Sequence, residues 1–122
     1  MINPTTLKLV IWMGSSRKDF CEMPSEVQDA MGYALFVAQQ GGKHNTAKPL
    51  KGFGGAGVLE LISDYRGNSF RSVYTVRFPG SVYMLHAFHK KSKKGGETPK
   101  ADMELIIRRL RGAETLGKGE GA

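Results

Sequence analysis

The chain has 122 residues and 13.4 kDa, with 40% hydrophobic and 24% charged residues, which suits one soluble domain with one core. Its single cysteine, Cys21, excludes an intrachain disulfide and a cysteine-based zinc site. No apolar run is long enough to span a bilayer and the N-terminus lacks the layout of a signal peptide, so a cytoplasmic protein with no membrane partner is expected.

The net charge of +7 is unevenly placed. Residues 1–29 carry three basic and four acidic groups, and residues 97–122 carry five of each. Between Ala30 and Gly96 lie ten basic residues against two acids, Glu60 and Asp64. A polyanion, nucleic acid above all, is the partner such a section suits. The plainer alternative is a solvated basic face that aids solubility.

Leu7 to Trp12 (LKLVIW) reads as a short strand, broken by Gly14-Ser15-Ser16. Met23-Pro24-Ser25-Glu26 opens a helix, since proline in a first turn forfeits no hydrogen bond. Val27, Ala30, Met31, Ala34, Leu35 and Ala38 form its apolar stripe, and Gly41-Gly42 ends it. Lys43 to Leu50 is a polar connection. Gly52, Gly54 and Gly57 match G-x-G-x-x-G, but they follow a proline-containing loop and precede a strand-like run, so a turning loop is expected and nucleotide binding is not.

Three strands in a meander come next: Val58 to Ile62, Phe70 to Phe78, and Val82 to His89. On the middle one, Phe70, Tyr74, Val76 and Phe78 share one face and Arg71, Val73, Thr75 and Arg77 the other. Thr98-Pro99 starts a last helix, threonine as N-cap, with Met103, Ile106, Ile107, Leu110 and Ala113 as its stripe. The pattern is α+β: a compact antiparallel sheet, made of the three-strand meander and the N-terminal strand, with helices packed against one face. One domain is expected over residues 1–116 and a frayed, flexible tail over 117–122.

Tyr83 to Lys94 (YMLHAFHKKSKK) turns from a strand-like run into a block of cations, His89, Lys90, Lys91, Lys93 and Lys94, just before the last helix. On the third strand His86, Phe88 and Lys90 share one phase and His89 and Lys91 the other; antiparallel pairing puts such side chains within reach of Arg71 and Arg77 on the middle strand, with Arg66 in the turn between the first two strands. Such a face can hold a phosphodiester and stabilise the added charge of its pentacovalent transition state, or it can simply face water. His86 and His89 fall on opposite faces of a strand, which argues against shared metal ligation; His89 is the better candidate for proton transfer. Glu60 stands alone in apolar sequence and suits a structural pairing with a neighbouring cation, or a general base. No Ser-His-Asp set, P-loop or zinc motif is found, and no metal or cofactor is expected.

The runs ELISDYRGNSFRSVYTVRF and LHAFHKKSKKGGETPKADMEL, with GYALFVAQQGGKH and KPLKGFG before them, resemble the phage-derived Gp49-like branch of HigB toxins, within the RelE/ParE superfamily. The resemblance covers about residues 24 to 112, and Phe88-His89-Lys90-Lys91 followed by Lys94 and Thr98-Pro99 is its most specific part. It implies a RelE-like fold and a toxin of a type II toxin–antitoxin pair. Such toxins are mostly metal-free endoribonucleases that cut mRNA in the ribosomal A site by 2′-OH transesterification. The implied partners are mRNA, the ribosome and a HigA-like helix-turn-helix antitoxin. The resemblance places Arg71 at a phosphate-binding position and Lys91 at a second cationic one, with Lys90 beside it. It also places Lys48 and Lys51 in an RNA-contacting loop. His89 is one candidate for the base, the other reading being charge stabilisation and substrate alignment alone; the expected catalytic set is Arg71, His89, Lys90 and Lys91, and the expected RNA contacts are Lys48, Lys51, Arg66, Arg77, Lys93 and Lys94. Two positions depart from the pattern: Glu60 replaces a lysine of some relatives, and no tyrosine follows the cationic block. A ParE-like inhibitor of DNA gyrase, or an inactive relative that still binds antitoxin, is the alternative function.

Overall fold

The meander forms as its turn residues predict. In the computed structural model, which describes residues 7–54, 57–90 and 97–120, β3 (Val58–Tyr65), β4 (Asn68–Thr75) and β5 (Ser81–Lys90) are antiparallel neighbours. They occupy the middle of a five-stranded sheet of order β1-β5-β4-β3-β2. β1 (Leu9–Trp12) lies along β5 and runs parallel to it, so the sheet is mixed rather than antiparallel throughout. β2 is only Lys48–Pro49, an edge pairing inside the stretch expected to be plain loop.

Alternation along the strands sends side chains to two separate cores. Leu59, Leu61, Tyr74, Val82, Met84 and Ala87 pack against the stripe of α2 (Ser25–Gln39), namely Val27, Met31, Ala34, Leu35 and Ala38. Val58, Val73, Tyr83 and Leu85 pack against Ile106, Leu110 and Ala113 of α3 (Lys100–Glu120). The helices therefore cover both faces of the sheet, not one. Ala30 is left exposed at the edge of the α2 stripe.

Tertiary contact overrides local signals in several places. Ser16–Cys21 form a short helix, α1, where the polar sequence suggests a break. Phe20 is buried beside the Trp12 ring, and Ser16 Oγ donates to the Met84 carbonyl at 3.2 Å, so packing on β5 supplies what helix propensity does not. β3 runs three residues further than expected and turns through Arg66 and Gly67, both left-handed at φ +50° and +80°, as a two-residue hairpin of this twist requires.

β4 stops at Thr75 instead of running to Phe78. The Thr75 hydroxyl donates to the Gly57 carbonyl at 2.7 Å and accepts from the Arg77 amide at 3.1 Å, which bends the chain out of the ladder. Phe78 thereby joins the α3 core, edge-on to Tyr83, rather than the face of Phe70 and Tyr74. α3 continues to Glu120, through most of the segment expected to form a tail, and Gly117 fits against the Phe78 ring where a Cβ would lie 2.6 Å from it. The Thr98 hydroxyl is buried with no hydrogen-bond partner among the described residues, so it does not cap α3. No described helix is long and apolar enough to cross a membrane.

Two substitutions check the packing. Leu61→Ala, at a fully buried position, should lower unfolding free energy by about 2–5 kcal/mol in denaturant titration; Leu9→Ala, at an exposed one, should change it by less than about 0.5 kcal/mol. The Tyr74 hydroxyl is buried without a hydrogen-bond partner among the described residues, and burial pushes its pKa up from 10.0 to about 12. The folded state holds this proton longer than the unfolded state, so the associated stability is present below about pH 10 and lost as pH rises through about 12. Tyr74→Phe should remove that alkaline loss in unfolding curves and leave stability at neutral pH unchanged or higher.

Candidate functional site

β2, β3 and the start of α3 enclose a groove of about 470 Å³. Lys48 and Lys51 stand exposed on one rim, the buried Glu60 lies between the walls, and Thr98 and Met103 line the side of α3. The strand register builds this arrangement. Lys48 lies opposite Glu60, Glu60 opposite Val73, and Val73 opposite His86. The next rows are Ile62–Arg71–Phe88 and Asp64–Ser69–Lys90. Residues directly opposed in a sheet share a face, so Lys48, Glu60, Arg71, His86 and Lys90 all belong to the α3 side.

Arg71 and Glu60 form the electrostatic centre. Arg71 Nη1 donates to Glu60 Oε2 at 3.1 Å, and both side chains are buried, 7% and 10% exposed. Each supplies the counter-charge that the other lost on leaving water. Lys90, at the end of β5, is also buried, at 4% exposure. His86 Nε2 and Asp102 Oδ1 are 2.7 Å apart, and the His86 ring stacks on Phe88 at 4.7 Å. Asp102 sits in the first turn of α3, where a negative charge is favoured, so this contact pins the start of the helix to the sheet beside the groove. No sequence signal pairs residues 86 and 102; only the packing of α3 on β5 does.

A β-bulge decides which cations join the centre. Val73 pairs with His86 but Tyr74 pairs with Met84, so Leu85 is an extra residue in β5. Met84 and Ala87 face α2 while Leu85 and Phe88 face α3. After the bulge the even-numbered residues, Lys90 included, stay on the Arg71 side. His89 falls on the opposite face, exposed and stacked on Phe70 at 4.9 Å, beside a hollow that Asp19 and Glu22 also line.

The structure thus brings Arg71, Lys90, Lys48 and Lys51 to one side and does not bring His89 there. Arg66 is at the β3–β4 turn with its guanidinium 5.1 Å from the Tyr65 ring centroid, and the Tyr65 hydroxyl donates to Glu26 at 2.7 Å. Arg77 is exposed beyond the far end of β4, its backbone beside Gly57. Lys91, Lys93 and Lys94 lie outside the described residues.

The model of a family described as "Phage derived protein Gp49-like" matches residues 18–111. Among solved structures, the chain is similar to the toxin–antitoxin complex RelBE2 from Mycobacterium tuberculosis, with 20% identity over 74% of this chain and 99% of that one and a TM-score of 0.46. No curated protein matches the sequence.

The buried ion pair has a measurable signature. Arg71→Met takes the guanidinium away from the buried Glu60 carboxylate and should cost about 3–5 kcal/mol, Glu60→Leu should also destabilise, and the double substitution should cost less than the sum of the two. Denaturant unfolding of the four proteins of the cycle measures the coupling.

Proposed function

The chain belongs to the phage-derived Gp49-like family, and we propose that this protein is the toxin of a type II toxin–antitoxin pair that arrests translation by cutting mRNA on the ribosome. The observation that carries the reading is the buried Arg71, held next to a groove whose rim bears Lys48 and Lys51. An arginine fixed in low dielectric beside a groove that carries Lys48 and Lys51, with Glu97 on the opposite side, suits a phosphodiester whose charge grows in the transition state. The excess of positive charge in residues 30–96 suits attraction of the polyanion from a distance.

The reaction is transesterification. The ribose 2′-oxygen attacks the adjacent phosphorus, the P–O5′ bond breaks, and the products are a 2′,3′-cyclic phosphate and a 5′-hydroxyl. Arg71 opposes the charge that builds on the non-bridging oxygens, with Lys90 and Lys91 completing the cationic set. To bind there, the phosphate displaces the Glu60 carboxylate from Arg71. The released carboxylate is on the groove side and accepts the 2′-OH proton, a role that His89, stacked on the other face, reaches less readily. A lysine ammonium returns a proton to the departing O5′. Alignment of the 2′-oxygen with the P–O5′ bond supplies the remainder of the rate. Arg66, Arg77, Lys93 and Lys94 steer the RNA by attraction that salt screens. Protein synthesis is spared when an acidic, HigA-like helix-turn-helix antitoxin holds this basic protein.

Induced expression should stop growth and translation, and primer extension should map new mRNA 5′ ends. Arg71→Ala and Lys91→Ala should each slow cleavage by about 100-fold or more and relieve arrest, with circular dichroism confirming that the variant is folded. Full toxicity of both variants would refute the site. DNA damage without new 5′ ends would favour gyrase inhibition, and no arrest at all would favour an inactive antitoxin-binding relative.

A further inference from the structure

Arg108, Arg109 and Arg111 lie close together on α3, and one of them turns inward. Arg108 and Arg111 are exposed, whereas Arg109 is half-buried. Its Nη1 donates to the Leu85 carbonyl at 3.0 Å and its Nη2 to Ser15 Oγ at 3.2 Å. Ser15 Oγ in turn donates to Asp19 Oδ2 at 2.7 Å, so a guanidinium, a hydroxyl and a carboxylate form one chain of contacts.

Leu85 is the extra residue of the β5 bulge. In a regular strand, successive carbonyls point to opposite edges. Here Met84 and Leu85 both accept from the segment between β1 and α1 or from a side chain bound to it. Met84 accepts from the Met13 amide at 2.9 Å and from Ser16 Oγ at 3.2 Å, and Leu85 accepts from Arg109. β1 does not reach Leu85, because its last residue, Trp12, lies opposite Met84. A buried carbonyl left without a donor is costly, and the guanidinium removes that cost from the bulge. Gly14 makes room for it: a Cβ there would lie 2.7 Å from Arg109 Cζ, Nε and Nη2.

Loss of the bulge would re-pair every residue after it. With Tyr74 still opposite Met84, Val73 would meet Leu85 and Arg71 would meet Ala87, where Arg71 now meets Phe88. Lys90 would leave the Arg71 face and His89 would take its place. We propose that Arg109 is a positioning residue: its bond to the Leu85 carbonyl holds the β5 bulge, and through the bulge it keeps Lys90 on the Arg71 face. The value of that face for RNA rests on the function proposed above, but strand register is measured without RNA, so the two readings can fail separately.

Arg109→Met keeps the apolar stem and removes the donors. Cross-strand Overhauser contacts in NMR spectra of the labelled protein report the register. The unaltered protein should link Arg71 with Phe88. In Arg109→Met the balance should move toward Arg71 linked with Ala87 by about tenfold or more, the scale of one unsatisfied buried carbonyl. Lys90, 4% exposed in the unaltered protein, should become open to reductive methylation, read by mass spectrometry. Arg109→Lys, whose ammonium can still meet one acceptor, should restore the contacts between 71 and 88 in part. Gly14→Ala keeps Arg109 but drives the guanidinium aside; it should reproduce the shift, and it decides the matter if Arg109→Met does not fold. Unchanged register and a protected Lys90 in both Arg109→Met and Gly14→Ala, even with lowered stability, would overturn the proposal. So would a shift that Arg109→Lys does not reduce. A shifted register with undiminished mRNA cleavage would support the role of Arg109 and count against Lys90 in the proposed chemistry.

Discussion

A charge on a strand that is covered on both faces must bring its counter-charge with it. β3, β4 and β5 lie between α2 on one side and α3 on the other, and each carries polar groups into that enclosure. Glu60 and Arg71 meet across β3 and β4, and His86 on β5 meets Asp102 on α3. These contacts add less net stability than apolar residues of the same shape could, because leaving water costs a charge several kcal/mol (about the scale of the attraction it regains). What they supply is a guanidinium and a carboxylate held in fixed positions next to a groove, and a helix start tied down at its wall.

The same enclosure explains how one cationic stretch is divided between tasks. Tyr83 to Lys90 alternates like any strand until Leu85, where the extra residue shifts the phase. Without it, His89 rather than Lys90 would face the Arg71 side. The bulge therefore selects a buried lysine for the face that carries Arg71 and leaves the histidine stacked on Phe70 in the open. Bulges commonly re-aim side chains, and here the change puts a lysine rather than an imidazole on the Arg71 side.

Much of the fold was legible because its signals are local. The meander follows from turn residues and alternating runs, and the α2 stripe from apolar residues at helical spacing that the structure buries at Val27, Met31, Ala34, Leu35 and Ala38. α1 and the early end of β4 were not legible. Ser16 is held by the Met84 carbonyl on β5, distant in sequence, Phe20 is buried beside the Trp12 ring of β1, and the bend at Thr75 depends on the carbonyl of Gly57, eighteen residues earlier. The covering of both sheet faces was hidden for a related reason: helices were expected against one face only, yet Val73, read on the face shared with Arg71 and Arg77, is buried against α3.

The sequence by itself determined the α+β class, the basic middle section and the family, because composition, periodicity and motif are properties of the chain taken in order. It also singled out Glu60 as an acid that needs a cation nearby. Which cation, and which of the basic residues stand together, only the tertiary structure decided. Register placed Lys48 opposite Glu60 and brought Arg71 to the same face, the bulge chose Lys90 over His89, and the packing of α3 supplied Asp102 to His86. Each of these depends on how strands and helices far apart in the chain align in space, and strand periodicity alone does not specify that alignment.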